Sequence, residues 1–431
     1  MQRRVIQVEE KVPLLQGLPL SFQHLFAMFG ASVLVPFLFN QWAGKQVVDP
    51  SLVLLMNGIG TLIYLFICKG KAPAFLGSSF AFLAPTAAIL ASGGDAQVNF
   101  AKALGGFMLS GLIFIVIALI IGKVGTSWLN VVLPPAAMGA IVALIGLELA
   151  HTAAEMAGLI PKEGVYNTNA IIVSMFTLAV MIIGSVAFRG FMSVIPVLFA
   201  VIAGYVLSIP MGLVDLSIID KKDILVVPQF LLPIFDFNAI IIILPATLVV
   251  LSEHISHLIV TGNIVGRDLT KEPGLHRSLF SDGLSTALSA FTGSVPTTTY
   301  GENMGVMAIT KVYSIWVIGG AAVISILVAF LGKLSGIISS IPVPVMGGVS
   351  ILLFGVIASS GIRMLVESKI DYSKSKNLIL TAVVFVAGIS GVSIKIGQVG
   401  LGGMALATVI GMGLSIVFFT LEKLKLTNDA E

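Results

Sequence analysis

Residues 248–260, LVVLSEHISHLIV, place one acid and two histidines inside an otherwise apolar run. In a helix, Glu253 and His257 stand at i and i+4 and share a face, whereas His254 points about 100° away. A carboxylate in apolar surroundings is costly unless it is paired, and a histidine one turn away is a partner that titrates near neutral pH. The spacing predicts a proton-handling pair or a structural hydrogen bond, and both interpretations stay open, for His254 above all.

A second acid lies in Ser294–Lys311, SVPTTTYGENMGVMAITK. Pro296 and the three threonines that follow favour extended backbone over Val295–Tyr300. After Gly301, the stretch Glu302–Thr310 is long enough for only about two helical turns, well short of the ~20 residues of a full span. Extended backbone at membrane depth is tolerated where it lines a cavity, so this half-helix predicts a binding site. A re-entrant loop that only packs is the alternative.

The composition sets the class of protein that these residues belong to. Of the 431 residues, 57% are hydrophobic and 10% are charged, and the mean hydropathy is +1.06. This exceeds the roughly 45–50% apolar content of soluble domains, so we expect a multi-pass protein of the lipid bilayer. Nothing in the sequence indicates a nucleic-acid partner, a metal or a cofactor. Cys68 is the single cysteine, and residues 1–19 lack the apolar core of a signal peptide.

Apolar runs divide the chain into candidate membrane segments. We predict an all-α polytopic membrane protein with 14 transmembrane segments, of which the third and tenth are short or interrupted by glycine. The segments are residues 20–38, 50–68, 74–91, 102–122, 129–150, 170–188, 191–212, 237–262, 278–293, 295–311, 313–332, 337–362, 376–393 and 399–421.

The distribution of basic residues predicts the orientation of these segments. Fourteen crossings put both termini on one side, and a cytoplasmic N-terminus assigns seventeen of the 24 lysines and arginines to the cytoplasm. That bias is the one that the positive-inside rule requires. We therefore expect a protein of the cytoplasmic membrane with both termini cytoplasmic.

An internal repeat is visible in the sequence. LPPAAMGA at Leu133–Ala140 is similar to IPVPVMGG at Ile341–Gly348, and each is preceded by a Gly-Lys pair and a Gly-Gly pair. The fold class therefore includes two inverted repeats of seven segments, because an odd number reverses the second copy in the membrane. Segments 3 and 10 correspond, and both are predicted to be broken by short extended stretches, at Gly77–Phe80 and Val295–Tyr300.

Two motifs resemble those of the nucleobase-ascorbate (nucleobase-cation symporter 2) transporter family. The first is Gln23-His24, and the second is Glu302-Asn303-Met304-Gly305 through Thr310-Lys311. The likeness runs from Val12 to Leu421, and the acid at the first signature position with Thr299-Tyr300-Gly301 resembles the uracil branch more than the purine or ascorbate branches. The resemblance implies uptake of uracil with protons, by alternating access.

The resemblance also implies two domains. A core domain of segments 1–4 and 8–11 would hold the substrate and would comprise residues 1–122 and 237–332. A gate domain of segments 5–7 and 12–14 would comprise residues 123–236 and 333–431. Phe354 departs from the tyrosine expected at a gate position in a close relative, which puts a hydroxyl contact from the gate in doubt.

Uracil is neutral and planar and carries both N–H donors and C=O acceptors, so its site needs acceptors, donors and an aromatic face. Glu253 and Glu302 are the expected acceptors, and Phe80 is the expected stacking face or, alternatively, a core residue. Half-helix N–H groups are the expected donors. The full predicted set is Glu253, Glu302, Phe80, Gly301, Ser79 and Tyr300 for substrate, His257, Glu253 and Glu302 for proton coupling, and Gln23, His24 and Asn303 in support.

Three other functions are alternatives. Proton symport of a purine such as xanthine, or of another nucleobase, is the first. An anion exchanger is disfavoured because the apolar segments carry acids but no central base. A hydrolase using Ser78 or Ser79 is disfavoured because no nucleophile motif surrounds them. The sequence leaves open whether the chain forms a homodimer.

Overall fold

A computed structural model describes residues 5–161, 164–396 and 399–427. Arg3, Arg4 and Lys162, which contribute to the predicted charge bias, lie outside the described residues. The helices are Leu14–Ala43 (α1), Pro50–Ile67 (α2), Leu83–Leu90 (α3), Ala96–Val124 (α4), Leu129–Val132 (α5), Pro135–Glu148 (α6), Ala150–Met156 (α7), Thr168–Ala187 (α8), Pro196–Ser208 (α9), Ser217–Asp220 (α10), Phe237–Val265 (α11), Leu275–Thr292 (α12), Gly301–Thr310 (α13), Ile315–Ala329 (α14), Gly332–Ser339 (α15), Val343–Glu367 (α16), Ser375–Ile389 (α17) and Gly403–Lys423 (α18).

Eight helices of the described residues are long and apolar enough to cross a membrane: α1, α2, α4, α6 continued by α7, α8, α11, α16 and α18. Shorter apolar helices occur at Phe80–Leu90, Pro196–Ser208, Ile315–Ala329 and Ser375–Ile389. Several helices start at a residue that satisfies their first N–H groups; the Asp236 carboxylate, for example, accepts from Ala239 N at 2.9 Å. The chain is a helical, multi-pass membrane protein.

The helices pack in two groups. In the first group α4 packs on α11 and α12, α2 packs on α12 and α14, and α1 packs on α14. In the second group α16 packs on α6 and α8, α8 packs on α9, and α17 packs on α6 and α18. Small residues bring the helices close, because a Cβ added at Gly111 of α4 would lie 2.5 Å from the Gly283 carbonyl of α12.

A short antiparallel sheet lies inside the first group. Strand Leu76–Ser78 (β1) pairs with strand Thr297–Thr299 (β2), with Leu76 opposite Thr299 and Ser78 opposite Thr297. Both strands are buried. Side chains of α12 satisfy the other edge of β2, since Thr286 Oγ1 donates to Thr297 O at 3.0 Å. The predicted extended stretches are confirmed, and hydroxyl groups complete their hydrogen bonding as a low-water environment requires.

A second short sheet, which the sequence analysis does not predict, interrupts the otherwise helical architecture. Strands Ser393–Ile396 (β3) and Val399–Gly402 (β4) pair antiparallel between α17 and α18. Gly391 and Gly403 flank the hairpin with φ of 71° and 53°, a backbone conformation that glycine adopts without strain. Alternating isoleucines over residues 393–396 favour a strand, and the predicted apolar segments on either side end at residue 393 and begin again at residue 399.

The N-terminal segment lies along the chain that follows α13. Ile6 N donates to Lys311 O at 3.0 Å, Tyr313 N donates to Ile6 O at 2.9 Å, and Ile315 N donates to Val8 O at 2.9 Å. Arg267 binds the Glu9 carboxylate through both terminal nitrogens, at 2.5 and 2.9 Å. That hydrogen bond holds the pKa of Glu9 below its usual range. The N-terminus is therefore tied to residues far along the sequence.

Candidate ligand site at the paired half-helices

The β1–β2 pair aligns the starts of two short helices. A 3₁₀ turn at Phe80–Phe82 and then α3 follow β1, and α13 follows β2 one residue after the strand. The first N–H groups of a helix have no acceptor one turn earlier, and they form its positive end. The amides of Phe80, Gly301 and Glu302 are therefore placed to donate to a ligand between the two helix starts.

Two predicted ligand contacts are already engaged within the fold. Ser79 N donates to Pro296 O at 2.9 Å and continues the strand ladder, so a contact of Ser79 with a ligand stays a prediction. Tyr300 OH donates to Ser78 O at 2.8 Å, and the Tyr300 ring lies against Gly77, where a Cβ would be 2.5 Å away. Tyr300 joins the two strands in this structure, and its contact with a ligand stays a prediction.

Glu302 lies in the first turn of α13 and is half-buried. The next residue, Asn303, is fully buried and fixes this helix to α1. Its Nδ2 donates to His24 O at 2.9 Å and lies 3.1 Å from His24 Nδ1. The structure thus brings the predicted supporting residues His24 and Asn303 together. Gln23 is also buried, and its Oε1 has no hydrogen-bond partner in the part of the chain that is described.

Glu253 projects from α11 with one oxygen unsatisfied. The side chain is half-buried, and Oε2 is buried without a hydrogen-bond partner among residues 5–161, 164–396 and 399–427. Glu302 and Asp282 are near enough to interact with it electrostatically. An unpaired buried carboxylate is costly, which favours a role in which a ligand N–H or a proton supplies the missing partner.

His257 does not pair with Glu253 as the i, i+4 spacing predicts. Its Nδ1 lies 2.7 Å from Thr299 O, at the end of β2. No carboxylate oxygen of the described chain lies within 4.0 Å of either ring nitrogen. Because a carbonyl only accepts, Nδ1 carries the hydrogen, and Nε2 lies 3.8 Å from the place of a Gly301 Cβ. The hydrogen-bond partner of the His257 imidazole is therefore the Thr299 carbonyl at the end of β2, and not Glu253 as the spacing predicts.

The two helix groups meet at an aromatic pair. Phe80 is 8% exposed, and its ring centroid lies 6.1 Å from that of Phe354 on α16, with the ring planes at 80°. This edge-to-face arrangement is favourable for aromatic rings. Phe354 has no hydroxyl group, so its contact with the Phe80 ring is entirely apolar.

Sequence reasoning missed a buried cluster on the other side of α11. His254 Nε2 lies 2.7 Å from Ser278 Oγ, which lies 2.7 Å from Tyr64 OH. His254 Nδ1 lies 2.8 Å from Asp282 Oδ2, an ion-pair separation in which the ring N–H is poorly aligned with the oxygen. Asp282 stands in the ninth apolar segment, and an acid in such a segment is by itself a signal of a polar site.

Comparisons with known proteins identify relatives over the full length. The family model described as Permease family matches residues 15–396. The uracil permease of Escherichia coli (strain K12) is 56% identical over 426 residues, covering 99% of this chain and 96% of that protein. The uracil permease of Paenibacillus larvae subsp. larvae is 55% identical over 433 residues, covering 100% of both.

A solved structure shares the fold at low identity. The transmembrane domain of the cyanobacterial bicarbonate transporter BicA superimposes with a TM-score of 0.60 and 15% identity, over 95% of this chain and 99% of that one. Likeness at this level concerns the fold alone. It is the fold of a helical membrane transporter.

Proposed function

Because the chain belongs to the Permease family, that of the nucleobase-ascorbate transporters, we propose that it takes up uracil and that the uptake is coupled to protons. A family of permeases consists of transporters, so the chain is not an enzyme. Its relatives from Escherichia coli and Paenibacillus larvae carry the name uracil permease and match nearly the whole chain.

The unpartnered oxygen of Glu253 beside the paired half-helices is the observation that carries the proposal. Uracil has two N–H groups and two C=O groups on one small ring. Glu253 and Glu302 accept from the ring N–H groups in this proposal, and the amides at the starts of Phe80–Phe82 and α13 donate to the ring carbonyls. The Phe80 ring stacks on the pyrimidine face.

Proton coupling is assigned to Glu253, Glu302 and His257. A symporter needs a group whose protonation changes when the substrate site changes. The Thr299 carbonyl holds His257 with Nε2 toward Gly301, so a proton on Nε2 adds positive charge beside the start of α13. This arrangement supports His257 as either the proton carrier or the residue that tunes the two carboxylates.

The architecture in this proposal has fourteen segments in two inverted repeats. The paired strands β1 and β2 then belong to equivalent segments, 3 and 10, of the two repeats. The core domain comprises residues 1–122 and 237–332, and the gate domain comprises residues 123–236 and 333–431. The packing of α2, α4, α12 and α14 together, apart from α6, α8 and α16, supports this division. The cytoplasmic membrane, cytoplasmic termini and a homodimer stay predictions.

Uptake of labelled uracil into proteoliposomes under an imposed inward proton gradient tests the function. Excess unlabelled uracil is expected to abolish the signal, whereas xanthine, ascorbate and sulfate are expected to leave it unchanged. Competition by xanthine would indicate that the substrate includes a purine, and competition by sulfate would indicate anion exchange. Collapse of the gradient with a protonophore is expected to stop accumulation, and unchanged accumulation would exclude proton symport.

A further inference from the structure

A large groove lies on the surface of the first helix group, and none of its lining residues belongs to α3 or α13. It has a volume of about 1010 Å³ and lies between the end of α2 and the start of α14. Its apolar lining includes Leu62 and Phe66 of α2 and Trp316 and Val323 of α14. Phe66 is 85% exposed and Trp316 is 53% exposed, so two large side chains flank an open apolar surface.

Two cations stand at one end of this groove. Lys69 follows α2, which ends at Ile67, and Arg277 lies in the first turn of α12. A third cation is close by, since Lys11 Nζ lies 4.9 Å from the centre of the Trp316 ring. The charges thus cluster where α2 ends and α14 begins, and the apolar residues extend away from them along both helices.

Lys69 and Arg277 differ from the neighbouring cations, which form ion pairs with carboxylates. On the same edge of the molecule, Lys71 is paired with Glu272 and Arg267 is paired with Glu9. Neither Lys69 nor Arg277 has a carboxylate oxygen within 4.0 Å among the residues that the structure describes. Two positive charges therefore lie at the mouth of a groove whose lining, within the described residues, includes no acid.

An apolar groove with cations at one end is complementary to one class of molecule. Lipid chains fill apolar grooves on membrane helices, and basic residues at the membrane edge bind anionic headgroups. Tryptophan is enriched at the headgroup level, where Trp316 stands between the cations and Val323. A soluble anion would use the cations but not the groove, and a zwitterionic lipid would use the groove but gain little from the cations.

We propose that this groove binds an anionic phospholipid from the leaflet on the N-terminal side of the protein. Lys69 and Arg277 hold the phosphate, and one acyl chain lies along Leu62, Phe66 and Val323. The site is separate from the ligand site at the half-helices, so the proposal stands or falls independently of the transported substrate.

Native mass spectrometry of the purified full chain, titrated with phosphatidylglycerol or phosphatidylcholine, tests the proposal. Each cation near a membrane surface contributes about fivefold to the binding of an anionic lipid, so two predict a preference of roughly 25-fold for phosphatidylglycerol. The double variant Lys69→Gln with Arg277→Gln is expected to lose that preference. Lys123→Gln, which removes an exposed lysine at the end of α4, is the matched control and is expected to retain it.

A second pair of variants tests the apolar half of the groove without changing charge. A Cβ at Gly319 meets only Leu65 Cδ1, at 3.6 Å, so Gly319→Leu grows into the groove. It is expected to reduce phosphatidylglycerol binding at least tenfold, whereas Gly413→Leu on α18, where nothing lies within 4 Å of the added Cβ, is expected to have no effect.

Three outcomes would overturn the proposal. Equal retention of phosphatidylglycerol and phosphatidylcholine would show that the cations do not select the headgroup. Displacement of the lipid by glycerol phosphate or inorganic phosphate alone would show a soluble-anion site. Masses of paired chains that disappear in Gly319→Leu would show that a second copy of the chain covers the groove.

Discussion

Two polar clusters share helix α11, and they differ in what their side chains contact. The closed cluster is His254, Asp282, Ser278 and Tyr64, in which each side chain is fully buried and lies within 2.8 Å of another member. The open cluster is Glu253, His257 and Glu302, in which all three are half-buried and none hydrogen-bonds to another. The adjacent residues Glu253 and His254 therefore lie in two different environments.

The difference separates polar groups that hold helices together from groups that await a partner. Nearly all buried polar groups in proteins are hydrogen-bonded within the fold. The closed cluster joins α2, α11 and α12 through contacts among its own members, and His254 Nδ1 and Asp282 Oδ2 form an ion pair at 2.8 Å rather than an aligned hydrogen bond. In the open cluster, Glu253 Oε2 has neither a hydrogen bond nor an ion pair within the part of the chain that is described. Substitutions in the closed cluster should therefore change stability, and those in the open cluster should change binding.

Asp282→Ala is expected to have the largest effect, on stability. Removal of one member of a buried ionic pair leaves the other without compensation and costs about 3 to 5 kcal/mol. Thermal unfolding in detergent should show a lower midpoint, and the folded fraction should bind uracil with unchanged affinity. Normal stability with lost binding would place Asp282 in the ligand site and remove the distinction between the clusters.

Glu302→Gln is expected to abolish high-affinity uracil binding while the protein stays folded. A carboxylate accepts from two N–H groups, whereas an amide presents a donor on one side. A ligand N–H left without an acceptor costs up to about 3 kcal/mol, or roughly a hundredfold in affinity. Calorimetry on the purified variant measures the loss, and the parental melting temperature serves as the control for folding.

Glu253→Ala is expected to weaken uracil binding by about 1 to 3 kcal/mol, because one ligand N–H becomes buried without an acceptor. The unpartnered oxygen also disappears, so the ligand-free protein should be at least as stable as the parent. A binding isotherm and an unfolding curve for the same sample test both statements. Parental affinity would move the site away from the open cluster.

His257→Ala is expected to have the smallest effect on binding, within about 1 kcal/mol, which is the net value of a typical hydrogen bond. Its effect on accumulation should be severe, because the group proposed to take or tune the coupled proton is missing. Proteoliposome uptake at several external pH values measures the coupling. Parental accumulation with unchanged pH dependence would leave the carboxylates as the only proton carriers.

The local backbone of the site was predictable from sequence, whereas its contacts were not. Pro296, the threonines and Gly301 predict a strand and a half-helix, and both occur at Thr297–Thr299 and Gly301–Thr310. The hydrogen-bond partners of each strand come from distant parts of the chain; Ser79 N, for example, donates to Pro296 O. Sequence spacing on one helix could not show that the His257 ring turns to β2.

The missed features have different causes. Asp282 stands among the serines and small residues of segment 278–293, and the linear pattern of that segment does not show that its carboxylate faces His254 of α11. The hairpin β3–β4 spans the gap between the apolar segments predicted at residues 376–393 and 399–421, and so short an alternation of apolar residues does not by itself identify a strand. Phe354 stands where the family resemblance predicts a tyrosine, and its ring lies against Phe80.

The N-terminal segment beside α14 has a consequence for biosynthesis. Residues Ile6 and Val8 hydrogen-bond with Tyr313 and Ile315, so the first residues made must wait for roughly three hundred more before their partners emerge from the ribosome. Chain synthesis at about 5 to 20 residues per second makes that wait about 15 to 60 seconds. A bulky fusion partner ahead of Ile6 would compete with this late pairing, whereas one placed after α18 would not.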